Sequence, residues 1–198
     1  SSKSYLDINQ KEEPHCLIED LFANKKDLII LSGGINSLIS TLIKKNRIND
    51  VEKIITKLKD NFPDLFYLEI QRHNDIDEKN LEEVFLNLSN KFKLPIIASR
   101  EIYYMTKEMH EAHDALLCIG EKTYVSEKNR KKYSNEHFFR ESEDMIEIYK
   151  DLPEALENNF SFPYRFNYKP KKSDPVLPTI KISGKQDESE ELLNLSKL

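Results

Sequence analysis

Three short apolar runs, each followed by a stretch of helical period, restrict this chain more than any other feature of its sequence. Leu28-Ile29-Ile30-Leu31 is continuously apolar between Lys25-Lys26-Asp27 and Gly33-Gly34, which is how a strand buried on both faces of a parallel sheet reads. Phe66-Tyr67-Leu68-Glu69-Ile70 and Leu94-Pro95-Ile96-Ile97-Ala98 supply a second and a third strand, with Pro95 tolerable at the first position of its run. Behind Asn36, read as an N-cap, Leu38, Ile39, Leu42 and Ile43 fall at helical spacing. Val51, Ile54, Ile55, Leu58 and Phe62 mark a further helix that Pro63-Asp64 stops. Asp75 and Asp77 offer caps for the helix that carries Leu81, Val84, Phe85, Leu88 and Phe92 on one face. After the third strand, Met109, Ala112, Leu116 and Ile119 form one apolar stripe, and Gly120 reads as the C′ residue. Strand and helix alternating in this way predict an α/β fold of βαβ units around a parallel sheet.

Beyond Gly120 the pattern changes. Residues 121–140 are polar and basic, two short helices are expected around Met145–Tyr149 and behind Asp151, and Glu154 is placed to complete a capping box there. From Phe160 to Ser183 the chain holds four prolines and no helical period, which reads as a connector over a surface. Asp187–Leu198 begins an acidic helix with Leu192, Leu193 and Leu195. Ser1–Ile8 and Leu198 both read as interior to an element, so a piece of a longer protein is expected, with one domain over 1–160 and a truncated connector over 161–198.

Composition narrows the function classes. Thirty basic against 35 acidic residues give a net charge of −5, which argues against a broad face gripping a phosphate backbone. Cys16 and Cys118 cannot build a disulfide framework, and they fit a reducing cytoplasm. No apolar run is long enough to cross a bilayer and no signal peptide opens the chain, so a cytoplasmic location without a membrane partner is expected.

Several residues are candidates for chemistry. Ser32-Gly33-Gly34-Ile35-Asn36-Ser37, between a strand and a helix, suits a phosphate, and resembles the pyrophosphate loop of ATP pyrophosphatases with Asn36 in place of Asp. The same string also serves as a plain capped turn. His110 and His113 stand at i and i+3 beside Asp114, which supplies at most half a tetrahedral metal shell, and nothing in the sequence completes it. Glu69 faces opposite to Leu68 and Ile70, and a structural ion pair with Arg72 or His73 is the simpler reading. Lys128-Asn129-Arg130-Lys131-Lys132 reads as a solvated loop before a nucleic-acid contact, and Cys118 as a small core residue.

Longer strings carry more. Phe66-Tyr67-Leu68-Glu69-Ile70-Gln71-Arg72-His73, Leu94-Pro95-Ile96-Ile97-Ala98-Ser99 and Ala112-His113-Asp114-Ala115-Leu116-Leu117-Cys118-Ile119-Gly120 resemble the bacterial DNA polymerase III α subunits, the family C replicative polymerases. Glu143-Asp144-Met145 and Leu152-Pro153-Glu154-Ala155-Leu156-Glu157-Asn158 extend the resemblance in order over residues 20–160. Glu69, His73, His113 and Asp114 stand within these family motifs. The resemblance implies the later half of a PHP (polymerase and histidinol phosphatase) domain, a distorted (β/α)₇ barrel, followed by an irregular extension toward the palm. It places Ser32–Gly34 at a cysteine-bearing loop of the family, which removes the nucleotide reading. Three metal-ligand positions of the family fall here and all depart from it: Gly34 replaces a Cys, Glu101 an Asp and Tyr103 a His. It therefore implies a vestigial metal site, no catalytic residue and no cofactor in this segment, with Mg²⁺ and DNA the concern of the parent polymerase's palm. Relatives of this type dock a separate 3′–5′ proofreading exonuclease, the partner the resemblance implies besides the rest of the replicase. The rival within the same resemblance is a working, metal-dependent PHP phosphoesterase in which Glu101 holds a metal.

Overall fold

The structure, a computed structural model, describes residues 15–172, 174–175 and 188–197. Its elements up to Arg165 are α1 (Ile18–Ala23), β1 (Ile30–Leu31), α2 (Leu38–Lys44), α3 (Ile48–Asn61), β2 (Phe66–Gln71), α4 (Ile76–Phe92), β3 (Ile96–Ser99), α5 (His110–Glu121), α6 (Ser142–Ile148) and α7 (Pro153–Ser161). Short 3₁₀ turns at Lys107–Met109 and Phe162–Arg165 flank α5 and follow α7. These elements form one unit, and residues from Phe166 onward form a second, whose described helix is α8 (Glu188–Leu195). The expectations for Ser1–Ile8, for Asp187 and for Leu198 lie outside the described residues, as does most of the connector beyond Pro175.

The three apolar runs are parallel strands in the order β1-β2-β3, with Ile30 opposite Phe66 and Leu68 opposite Ile96. This is a mixed α/β fold around a small parallel sheet. β2 lies in the middle, and Phe66, Leu68 and Ile70 are fully buried along it. Val51, Ile55 and Leu58 of α3, Phe85 and Leu88 of α4, Ile39 and Leu42 of α2, and Tyr149 and Ala155 complete the core. Each such aliphatic side chain contributes about 1.5–3 kcal/mol on burial. The helical periods read from the sequence for α3 and α4 are therefore the packed faces, and so is that of α2 except at Leu38, which is exposed.

Four details differ from the sequence reading. The first run is a strand of only two residues, paired among the described residues with β2 alone, and Leu31 is exposed. Ser37, not Asn36, caps α2: its backbone is extended and its Oγ accepts from Ser40 N at 3.2 Å. α5 runs through Gly120 to Glu121, and Lys122 caps it with a left-handed backbone (φ 54°), its N–H donating to the Cys118 and Ile119 carbonyls. Asp151 and Glu154 form no capping box, because the N-cap is Leu152, whose side chain has no acceptor, with Pro153 following at N1.

Two features shape what the sheet presents. The outer edge of β3 is closed by α7: Asn159 Nδ2 donates to Ala98 O at 2.7 Å, its Oδ1 accepts from Ala98 N at 3.0 Å, and Asn158 Nδ2 donates to Ile96 O at 2.7 Å. Side-chain amides thus occupy the groups that another strand would otherwise pair. α5, by contrast, turns its apolar stripe outward. Leu116 is 63% and Ile119 75% exposed, and its inward side is His110, His113, Leu117 and the buried Cys118. Among the described residues no helix is long and apolar enough to cross a membrane.

Candidate functional site

Where parallel strands end, their last backbone groups leave the ladder and the loops diverge, so side chains from several strands converge at the carboxyl edge. Here β1 leads into Ser32, Gly33 and Gly34, β2 supplies Glu69, Gln71 and His73, and β3 supplies Ser99 and Glu101. Gly33 adopts φ 80°, which turns the chain out of β1 toward α2. Ser32 Oγ accepts from Glu69 N at 2.8 Å and ties that turn to β2.

Gly34 is approached closely. A Cβ built there would overlap Oε1 of Gln71, so the Gln71 carboxamide occupies the space above the glycine. Gln71 Nε2 donates to Glu69 Oε1 at 3.1 Å and to Ser99 Oγ at 3.2 Å, and Ser99 Oγ donates in turn to Glu69 Oε1. Neutral donors therefore hold the Glu69 carboxylate, and the expected ion pair with Arg72 or His73 does not form. His73 is taken by Glu78, and for Arg72 the two-residue strand period is the reason, since it sets Glu69 and Gln71 on one side and Arg72 on the other. There Arg72 pairs with Glu82 at 2.5 Å and with Asp151 at 2.7 Å, which holds the Asp151 carboxyl below its usual range.

His73 sits just past β2, 1% exposed, and both of its ring nitrogens are engaged. Nε2 accepts from Glu101 N–H at 3.1 Å, so the ring proton is on Nδ1, which donates to Glu78 Oε1 at 2.6 Å. Glu78 Oε2 also accepts from His73 N. Burial alone would raise the Glu78 carboxyl, but these hydrogen bonds to His73 outweigh it and hold the group below its ordinary value. His137 stacks flat on His73, with centroids 4.0 Å apart, and its Nδ1–H donates to Glu101 O at 3.1 Å. The two imidazoles thus grip the two peptide groups of Glu101 from one side. Burial, and then the neighbouring His73, push the His137 imidazole below its usual value.

Tyr103 and His113 extend this stack outward. Tyr103 lies 5.2 Å from His137, 5.2 Å from His113 and 4.5 Å from Tyr133. Its hydroxyl donates to Glu101 Oε2 at 2.8 Å, and burial first, then its contacts with Tyr133 and Glu101, raise the phenol. His110 and His113 do not pair as metal ligands. His110 Nε2–H donates to Tyr133 O at 3.0 Å, and both oxygens of Asp114 are taken by Arg130, at 2.5 and 2.6 Å. That ion pair buries the Arg130 guanidinium, so the basic run is not uniformly solvated, and it lowers the Asp114 carboxyl. Among the described residues no group of three or more His, Cys, Asp or Glu side chains is placed to hold a metal ion.

Of the residues singled out in the sequence, Gly34, Glu69, His73, Glu101 and Tyr103 meet at this edge. His113 joins through Tyr103, and Asp114 stands behind it in the loop clamp. Glu78, Gln71, Ser99, Tyr133 and His137 are members that sequence reading passed over. His137 stands in a loop, and a loop without period gives no facing direction.

Fold and site together define a parallel α/β protein with a polar, histidine- and tyrosine-rich constellation at the carboxyl edge of its sheet. No family model matches the chain. The DNA polymerase III subunit alpha of Caulobacter vibrioides is 30% identical over 97% of this chain, that of Borreliella burgdorferi 34% over 83%, and that of Vibrio cholerae 29% over 92%. The chain is homologous to a segment of the DNA polymerase III α subunits, and it spans only 14–17% of the length of these relatives.

Proposed function

We propose that this chain is a segment of a replicative DNA polymerase of the polymerase III α type, the later half of its PHP domain, and that it acts in DNA replication as a structural and docking module. The single observation behind this reading is similarity along nearly the whole chain to polymerase III α subunits. Residues 1–160 are then the domain portion, and 161–198 the connector toward the palm. The donor set supports a site that does not use a metal. Gly34 offers no ligand atom and the Gln71 amide stands over it, Glu101 accepts from Tyr103, and His73 has both nitrogens committed. A divalent ion needs free carboxylate, imidazole or thiolate lone pairs converging on one point, and these residues do not fit that need. The constellation instead braces the loops at the carboxyl edge, which is what a docking surface for a separate 3′–5′ proofreading exonuclease requires.

The test is co-elution of the chain with the proofreading exonuclease of the same replicase on a sizing column, with circular dichroism on the same sample. A shared peak is expected, and separate peaks from a folded chain would move the docking role elsewhere. Adding Mg²⁺ or Mn²⁺ to the chain should release no nucleotide from a 3′-mismatched primer; robust release would sink the metal-free reading.

A further inference from the structure

The loop after α5 is strongly basic in an acidic chain. From Lys122 to Tyr133 it holds Lys122, Lys128, Arg130, Lys131 and Lys132 against the one carboxylate of Glu127, although the whole chain has a net charge of −5. Arg130 is taken up by the fold, its side chain 4% exposed, and the four lysines are exposed. The Arg130 guanidinium holds both Asp114 oxygens, at 2.5 and 2.6 Å, and donates to the Val125 and Lys131 carbonyls at 3.2 and 3.3 Å. One side chain thus joins both arms of the loop to α5. Thr123 N–H donates to Cys118 O at 2.9 Å and fixes where the loop leaves the helix. A loop held in this way presents its lysines with little left to order on binding.

Aromatic rings stand among these charges. Tyr124 is 75% exposed, at a turn closed by Glu127 N–H on its carbonyl at 3.0 Å. Tyr133 is half-buried, with Lys131 Nζ 5.5 Å from its ring centroid and the Tyr103 ring behind it at 4.5 Å. Lys132 lies close enough to Asp114 to act on its carboxyl, so the lysines and the Arg130 clamp share one surface. A strand of phosphates needs cations along its path, and unpaired bases need flat faces to stack on. In a duplex the bases already stack on one another, which leaves the rings unused. An acidic peptide would engage the lysines alone.

We propose that the loop from Lys122 to Tyr133 is a contact surface for single-stranded nucleic acid. Lys122, Lys128, Lys131 and Lys132 face its phosphates, and Tyr124 and Tyr133 take its bases. This surface goes beyond the docking of an exonuclease and needs neither that partner nor a metal, so oligonucleotide binding and co-elution can each fail without the other.

Fluorescence anisotropy of a short labelled oligo(dT) with the full 198-residue chain tests it, between about 50 and 200 mM salt, the range over which phosphate contacts weaken steeply. Binding is expected at the lower salt. Lys128→Glu and Lys132→Glu combined on one chain should weaken it at least about tenfold, and should lower the slope of log affinity against log salt by about 1.4. Lys53→Glu with Lys57→Glu, an equal charge change at exposed positions of α3, should leave it unchanged. Tyr124→Ala, which alters no charge, should weaken binding at least about fivefold through the lost stacking. Circular dichroism should be the same for every variant. A folded chain that binds no oligo(dT) at the lower salt overturns the proposal. So does binding that the loop reversals leave untouched or that the α3 reversals weaken equally. Duplex DNA or poly-glutamate held as tightly as oligo(dT), or a Tyr124→Ala chain that binds like the native one, would overturn it as well.

Discussion

Asn159 closes both backbone groups of Ala98. Its side-chain amide donates to the Ala98 carbonyl at 2.7 Å and accepts from the Ala98 N–H at 3.0 Å, so α7 substitutes for a fourth strand. Ala98 is buried, and neither group has water as an alternative. Asn159→Leu should therefore destabilise the protein by about 2 kcal/mol or more, the cost of leaving a buried donor and acceptor unmade. Asn159→Asp removes only the donor, and should be more harmful at neutral pH than near pH 3, where a protonated carboxyl donates again. Urea unfolding of both variants at the two pH values checks this; equal losses at both would refute it.

The Glu78 carboxylate is the partner that a buried His73 Nδ1–H requires. Glu78→Ala should cost about 3 kcal/mol, in the range for a hydrogen bond to a charged group plus an orphaned donor. Glu78→Gln keeps an acceptor for Nδ1–H and should cost markedly less. A Glu78→Ala protein with an unchanged urea midpoint would show that the pair carries no stability.

Gly34 leaves no room for a side chain while Gln71 holds its place. Gly34→Ala is expected to destabilise by about 1–3 kcal/mol through overpacking. Truncating the neighbour relieves the overlap, so Gly34→Ala in a Gln71→Ala background should cost less than in the native chain. The interaction energy of this double-mutant cycle is the readout, and simple additivity would mean the overlap is absorbed elsewhere.

Stability should fall as pH drops below the ordinary histidine range. Burial, and then His73, hold the folded His137 imidazole below the ordinary histidine value, so the unfolded chain binds the extra proton first. Unfolding free energy then decreases toward lower pH, by up to about 1.4 kcal/mol per pH unit for one such group, in the window between the unfolded and folded values. Above pH 6.5 this contribution is fully present. His137→Phe, which keeps a ring to stack on His73, should flatten the slope between pH 6.5 and 5.5; urea midpoints measured at both would expose a slope that persists.

Much of the scaffold was legible in the residues. Leu81, Val84, Phe85, Leu88 and Phe92 give α4 its packed face, and Phe66–Ile70 is the central strand, because long amphipathic periods and strand-forming runs depend on local spacing alone. Gly34, Glu69, His73, Glu101 and Tyr103, drawn from three separate stretches, were readable as a group only through resemblance. The partners that explain them were not. Glu69 meets Gln71 and Ser99 instead of Arg72, and His73 meets Glu78, Glu101 and His137, because side-chain pairing depends on which loops fold over the strand ends.

What the sequence determined by itself was the order of strands and helices, their periods, and kinship with polymerase III α subunits. Tertiary structure decided the exposures and the partnerships. Leu31 is exposed although it stands in an apolar run, and β3 is closed because two asparagines on a helix more than sixty positions downstream reach its backbone. The stripe of α5 faces water although its period is that of a buried helix. Period states that a helix has an apolar face; only the packing of distant segments states what that face meets.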